Sequence, residues 1–202
     1  MSNALKRLVQ LGTPDLGDSA DPDSLPDVLA PILMRTNGFY AFESALLVRP
    51  AGGGMGSLEW WNNELNWREA YPQLSRDSVF FAEDVFGFQF VTCGEGFYSF
   101  DPETAELEFV GDTAEAWAAA ILDDYEVMTG HAVGHDWQQL NGPLKRGHRL
   151  APALPFVLGG EYRAEVLRQK ADWELAAFRA DVYNQIKDLP DGAQVKIRMD
   201  DN

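Results

Sequence analysis

Hydrophobic residues along the chain change spacing several times, and each change marks a new element. Asn3 to Leu11 places apolar residues on one helical face, and Gly12 to Ser24 is a Gly, Pro, Asp and Ser tract that reads as a loop. In Ser24-Leu25-Pro26-Asp27 the serine can cap and proline suits a first turn, which predicts a helix over Asp27 to Arg35 stopped at Asn37-Gly38. Pro31 conflicts with that helix and predicts a kink or a later start. Phe39 to Val48, dense in aromatic and aliphatic residues, reads as a strand ended by Pro50 and the loop Ala51 to Ser57. Leu58 to Tyr71, carrying Trp60, Trp61 and Trp67, reads as a helix.

In the centre the period falls to two. Val79 to Ala82, Gly87 to Thr92, Gly96 to Phe100 and Leu107 to Val110 are short strands separated by Gly94, Gly96 and the Asp101-Pro102-Glu103-Thr104 turn, a β-meander. Alternation puts Phe86, Phe88 and Phe90 on one face of it. Thr113 can cap a helix with Glu115 in its first turn and an apolar stripe through Trp117, Ala120 and Ile121 toward Val127, placed to close the core. His131 to Pro155 is rich in Gly, Pro and polar residues and reads as a connecting extension. A long helix over about Ala164 to Lys187 follows, then the Asp188 to Gly192 turn and an alternating strand from Ala193 to Met199. No internal repeat is present. The expected class is α+β: a single mixed or antiparallel sheet meander flanked by helices, with a C-terminal helix-strand extension. Residues 1–24 form an N-terminal helix and loop, 25–130 the α+β body, and 131–202 an extension packing on it.

Length and composition agree with such a body. A chain of 202 residues with 46% hydrophobic residues can bury a core without metal or disulfides. Its one cysteine, Cys93, cannot pair internally, which suits a reducing compartment. With no apolar leader-like stretch and no run long enough for a bilayer, a cytoplasmic location is expected.

Charge adds an asymmetry. No lysine or arginine occurs from Asp77 to Leu144, while that window holds 14 acids; the other 18 nearly balance the chain's 16 basic residues, so the window carries most of the net charge of -16. Such a surface repels phosphate backbones and anionic lipid, which argues against nucleic-acid and membrane partners, and it steers a basic protein. Solubility alone is the plainer account of the same charge.

Catalytic and metal patterns are weak. His131 and His135 stand four apart, with Asp136 and His148 as further donors, but Gly130 and Gly134 favour a loop and no Glu follows His131 directly, so polar loop histidines are expected and no metal. The Gly52 to Ser57 loop lacks the lysine of a phosphate cradle. Glu83 with Asp84, or Asp123 with Asp124, are adjacent and cannot readily face one pocket, and no Gly-x-Ser-x-Gly setting occurs. No catalytic residue and no cofactor are expected. Trp60 and Trp67 share a helical face while Trp61 is offset, so at least one is core and one is a candidate surface anchor.

The order of the Leu25-Pro26 helix, Asn37-Gly38, a strand, Phe81-Ala82-Glu83-Asp84 to Gly87, Phe88 to Phe90, Gly96-Phe97-Tyr98-Ser99-Phe100-Asp101 and a closing helix resembles the SUKH superfamily. That group unites a fungal cell-wall-synthesis regulator of the Smi and Knr type with many bacterial immunity proteins. The resemblance covers about Leu25 to Asp124, and the tail from Asp136 through Leu154 to Tyr162 and on to Gly192 looks like that of longer bacterial members. Val85 and Phe86 depart from it, being bulkier than the small residues expected before Gly87. The resemblance implies an α+β domain whose sheet binds a cognate toxin domain, often a nuclease. On that reading Glu83, Asp84, Glu95, Asp101, Glu103, Glu106 and Glu108 supply charge to a basic toxin and Trp61 anchors it. The expected function is a cytoplasmic immunity protein without catalysis. The alternatives are a regulatory or scaffold module in cell-envelope or stress signalling and, from another class, a hydrolase using acids near the tryptophans. Oligomeric state stays open.

Overall fold

The computed structural model describes residues 3–18, 20, 21, 23, 25–63, 66–94, 96–190, 192, 193 and 195. The elements run α1 (Ala4–Gln10), α2 (Ala30–Leu33), β1 (Phe39–Ala41), β2 (Leu46–Val48), α3 (Leu58–Trp61), a 3-10 helix (Trp67–Ala70), β3 (Val79–Glu83), β4 (Gln89–Cys93), β5 (Gly96–Phe100) and β6 (Leu107–Gly111). After them come α4 (Ala114–Asp123), α5 (Tyr125–Met128), α6 (His131–Asn141), β7 (His148–Pro152), β8 (Leu167–Ala171) and α7 (Asp172–Ile186), with a 3-10 turn at Phe156–Leu158. Each of the first five strands pairs antiparallel with the next, so the order of the six-stranded sheet equals chain order, the expected meander; β7 and β8 form a separate hairpin. Tight turns enforce this order. Asp84 Oδ1 accepts from the backbone N–H groups of Phe86 and Phe88, and Asp101 Oδ1 from that of Glu103.

Adjacent strand residues bury on opposite faces, giving two cores. On one face Phe81, Phe90 and Phe97 surround Trp117 of α4, together with Leu5 and Leu8 of α1 and Ile32 of α2. Thr113 caps α4 as expected, its side chain accepting from Ala116 N. Glu115 accepts from the backbone N–H groups of Ala4 and Leu5, so α4 caps α1 in turn. On the other face Phe80, Val91 and Phe100 pack with Trp61, Trp67 and Tyr71 under Ala176 and Ala180 of α7. A third cluster, with Val85, Phe86, Trp137, Leu150 and Leu167, seats α6 and the β7–β8 hairpin at the end of the sheet. No described helix is long and apolar enough to cross a membrane.

Several expected elements differ. Phe39 to Val48 is a hairpin, turned by Phe42, Glu43 and Ser44, all with positive φ. None of them is glycine or asparagine, so the turn carries no sequence signal. The helix at Leu58 stops after one turn because Asn62 bonds the Leu58 carbonyl and both backbone groups of Phe80. Helix α2 starts late, with Pro31 in its first turn. Phe86 and Phe88 precede β4 and pack toward Phe156 rather than with Phe90. His131–Asn141 is a helix in spite of two glycines: Gly130 supplies φ +66 before it, and at Gly134 an added Cβ would stand 3.1 Å from Val85. The long helix begins only at Asp172, since Leu167–Ala171 pairs with β7. The serine cap at Ser24 and the strand from Ala193 to Met199 lie outside the described residues or nearly so.

A buried ionic cluster joins the C-terminal elements to the sheet. Glu83 of β3 receives Arg149 Nε at 2.7 Å and Arg49 Nη2 at 2.9 Å, and Gln89 Nε2 at 3.0 Å. Arg49 Nη1 and Nη2 both reach Asp172 Oδ2 at 3.3 Å, and its guanidinium lies 3.3 Å over the Trp61 ring. Burial alone pushes the Glu83 carboxyl up, but Arg49 and Arg149 with the bonds from Gln89 and Arg149 bring it below the ordinary carboxylate range. Asp172 is raised, by burial and by the Glu83 charge, against the pull of both arginines. Removing the Glu83 charge leaves buried Arg149 without its carboxylate and Arg49 with Asp172 alone. Glu83→Gln is expected to lower unfolding free energy by about 3 kcal/mol or more, against about 0.5 kcal/mol or less for the exposed control Glu108→Gln, in urea titrations at neutral pH.

Candidate protein-binding surface

The structure divides the eight expected contact residues into inner and outer groups. Glu83, Asp84 and Glu103 are 1%, 7% and 2% exposed and Trp61 is fully buried, so none of the four is available to a partner. This corrects the expectation. Each acid is turned inward by cations or backbone donors that it faces, and Trp61 donates from Nε1 to Gln89 Oε1 while its face carries Arg49. Asp101 is half-buried as a turn former, Glu106 and Glu108 are exposed, and Glu95 lies outside the described residues.

What remains outside is β6. It is the end strand of the sheet, so its outer edge is unpaired within that sheet. Leu107 and Phe109 are 40% and 60% exposed and stand on the face shared with Tyr98 and Phe100, to which they are registered. The Phe109 ring meets Tyr98 edge-on at 5.5 Å, which supports it on one side. Glu108 alternates to the other face opposite Ser99. Glu106 and Asp112 flank the strand, both exposed, and α4, packed beside β6, ends in exposed Asp123 and Asp124 followed by Glu126. None of these six acids pairs with a described lysine or arginine. An open depression lined by Phe88, Ser99, Asp101, Glu106, Glu108 and Tyr162 adjoins the strand. The arrangement is an apolar ridge rimmed by uncompensated anionic charge. Sequence reasoning found the acids of β6 but missed Leu107 and Phe109, because period-two apolar residues read as core until the neighbouring strand is known to be absent.

Beneath this edge lies a second polar site. Arg179 of α7 is 1% exposed, sandwiched toward Phe88 at 4.8 Å and Phe156 at 5.6 Å, with Nε 3.1 Å from Glu103 Oε1. Glu103 also accepts from Val157 N at 2.8 Å. Burial raises the Glu103 carboxyl, with Arg179 opposing. Asp84 is pushed up to about 7 by burial, which outweighs Arg179 and the two backbone donors. Tyr71, raised mainly by burial, donates to the Pro102 carbonyl at 2.5 Å, pinning the β5–β6 turn. Both carboxylates are closed off from solvent and accept backbone N–H bonds, the work of turn braces. Elsewhere, Glu43, His131 and His135 are the donor set that the described residues offer a metal ion; Asp136 and His148 are not part of it.

Asp84 has a pH signature. Because its folded value lies above the unfolded one, its contribution is full at low pH and is lost as pH rises through about 7. Asp84→Asn keeps an oxygen for Phe86 N and Phe88 N but cannot ionise. Relative to wild type, the variant is expected to gain stability as pH rises from about 4 to about 7, by roughly 1.4 kcal/mol per pH unit, and to gain no more above that. Urea titrations across that range check it; a difference that stays flat shows Asp84 ionised throughout.

No family model matches the chain, and no curated protein does. Among solved structures, the crystal structure of Atu4351 from Agrobacterium tumefaciens is similar, with a TM-score of 0.58 at 12% identity over 86% of this chain and 86% of that one. At that identity the likeness is one of fold: an α+β arrangement around a six-stranded antiparallel sheet.

Proposed function

We propose that this chain is a cytoplasmic immunity protein that captures a basic toxin domain along the β6 edge and performs no chemistry itself. The observation that carries the reading is the exposed pair Leu107 and Phe109 on an end strand, set among Glu106, Glu108 and Asp112 with no described cation to neutralise them. An apolar anchor within a charged rim is the usual division of labour at a protein interface. The ring supplies affinity, and the acids supply rate and partner choice. The resemblance of the motif order to the SUKH superfamily supports the toxin as partner, with a nuclease fitting best because such enzymes are basic where they hold phosphates. The fold by itself hosts many functions, so the surface carries the proposal.

Co-expression with a toxic C-terminal domain encoded beside this chain, scored by growth and co-purification, tests it. Wild type is expected to rescue growth and form a stoichiometric complex. Phe109→Ala is expected to weaken binding by about 2 kcal/mol, roughly 30-fold, chiefly through faster dissociation. Glu106→Lys with Glu108→Lys is expected to slow association about tenfold at low salt and flatten its salt dependence. If instead the acids only keep a bare strand edge from self-pairing, the double reversal yields oligomers while toxin binding stays unchanged, and the interface assignment falls.

A further inference from the structure

The first two turns of α6 and the β1–β2 turn bring together two imidazoles and one carboxylate that nothing in the β6 surface uses. His131 and His135 are four residues apart on the helix, so both rings project from one face toward Glu43. One oxygen serves both: Glu43 Oε2 lies 2.8 Å from His135 Nδ1 and 3.7 Å from His131 Nε2, and the three donor atoms all fall within 4.8 Å of one another. The third donor comes from 88 residues before the first histidine, so its arrival is a product of the tertiary fold.

We propose that Glu43, His131 and His135 form a binding site for a divalent transition-metal cation of the zinc type. A neutral His131 cannot satisfy the geometry alone. At 3.7 Å its Nε2 is too far from Glu43 for a hydrogen bond, and if the proton sits on Nδ1 the two atoms oppose lone pair to lone pair. A cation between them resolves this. Zinc bonds of about 2.0–2.1 Å in a tetrahedron set ligand atoms roughly 3.4 Å apart, close to the His131 separation, and the His135 contact opens to it by a small rotation of a half-exposed ring. Two nitrogens and one oxygen suit zinc and its neighbours in the transition series rather than calcium or magnesium.

The surroundings are built to hold the donors still. Phe42, Glu43 and Ser44 all adopt positive φ, a costly backbone for residues other than glycine. Gln138 Nε2 of α6 donates to the Glu43 carbonyl at 3.0 Å, and Arg149 Nη1 donates to that of Ser44 at 3.1 Å. Tyr125 covers one side, its ring 5.2 Å from His131 and stacked on Phe42 at 4.8 Å. The other side opens to solvent through the side chains of Glu43, 53% exposed, and His135, 42% exposed, leaving a face for water as a fourth ligand. A bound ion clips α6 to the first hairpin of the sheet.

Untagged protein, stripped with chelator and titrated with Zn2+ by calorimetry and with Co2+ by visible absorption, tests the site. One equivalent of Zn2+ is expected to bind with micromolar or tighter affinity and raise the melting temperature, and Co2+ to give the intense bands of a tetrahedral nitrogen and oxygen site. Glu43→Gln and His135→Ala are each expected to lose at least tenfold in affinity while melting like wild type in chelator; His148→Ala, outside the set, is expected to change nothing. Absence of saturable binding, or binding that survives both substitutions, overturns the assignment.

Discussion

The fold is organised around one carboxylate with two arginines on it. Glu83 sits at the end of β3, where β2 brings Arg49 and β7 brings Arg149, and Asp172 at the head of α7 takes the other side of Arg49. Ions of this kind pay a large desolvation penalty, which is recovered only if every partner arrives in register. That requirement ties segments distant in sequence to one geometry. Trp61 covering Arg49, Gln89 bridging Trp61 to Glu83, and the Ser44 carbonyl receiving Arg149 extend the same set of contacts to α3, β4 and the first hairpin. The β7–β8 hairpin and α7 are thereby fixed against the meander by polar specificity as well as by apolar burial.

This arrangement also decides which part of the acidic window faces water. Acids at the β3–β4 turn and the β5–β6 turn are drawn inward, Glu83 to two arginines, Glu103 to Arg179, Asp84 to two backbone donors. Glu106, Glu108, Asp112, Asp123, Asp124 and Glu126 pair with no described lysine or arginine and remain outside, concentrating the field on β6 and the end of α4. An uncompensated edge strand is a hazard unless charge or a partner covers it. Acids alone would suffice for that protection; an exposed Phe109 against Tyr98 would not serve it, and it is this ring that supports the proposal of a docking edge over that of a guarded one.

How much of this was legible in the sequence depends on the range of the force concerned. The meander was legible because period-two burial and turn chemistry are local, and the four strand spans from Val79 to Val110 were found within a residue or two. So was the cap at Thr113. The first hairpin was not, because its left-handed turn is held by Arg149 and Gln138 from the far end of the chain. Helix α6 was obscured by Gly134, which is glycine for the sake of Val85 rather than for a loop. For the site, charge located β6 but charge alone does not tell an inward acid from an outward one. Glu83 and Glu108 look alike in sequence; arginines 66 and 34 residues away from the former separate them in space.

The two proposed sites stand at opposite ends of the sheet, and their separation limits what one can do to the other. Glu43 lies in the β1–β2 turn and Phe109 on β6, four or five strand spacings away, about 20 Å at 4.8 Å per strand. Screening removes most of the direct electrostatic coupling over that distance. A cation at the first hairpin can therefore change affinity at the proposed β6 surface only by shifting a two-state element, and the sheet between them is braced on both faces and by the Glu83 cluster. Its expected effect is on the stability of α6 and the hairpin that it clips. The proposed docking edge then depends on Phe109 and its acids, whether or not the far hairpin holds an ion.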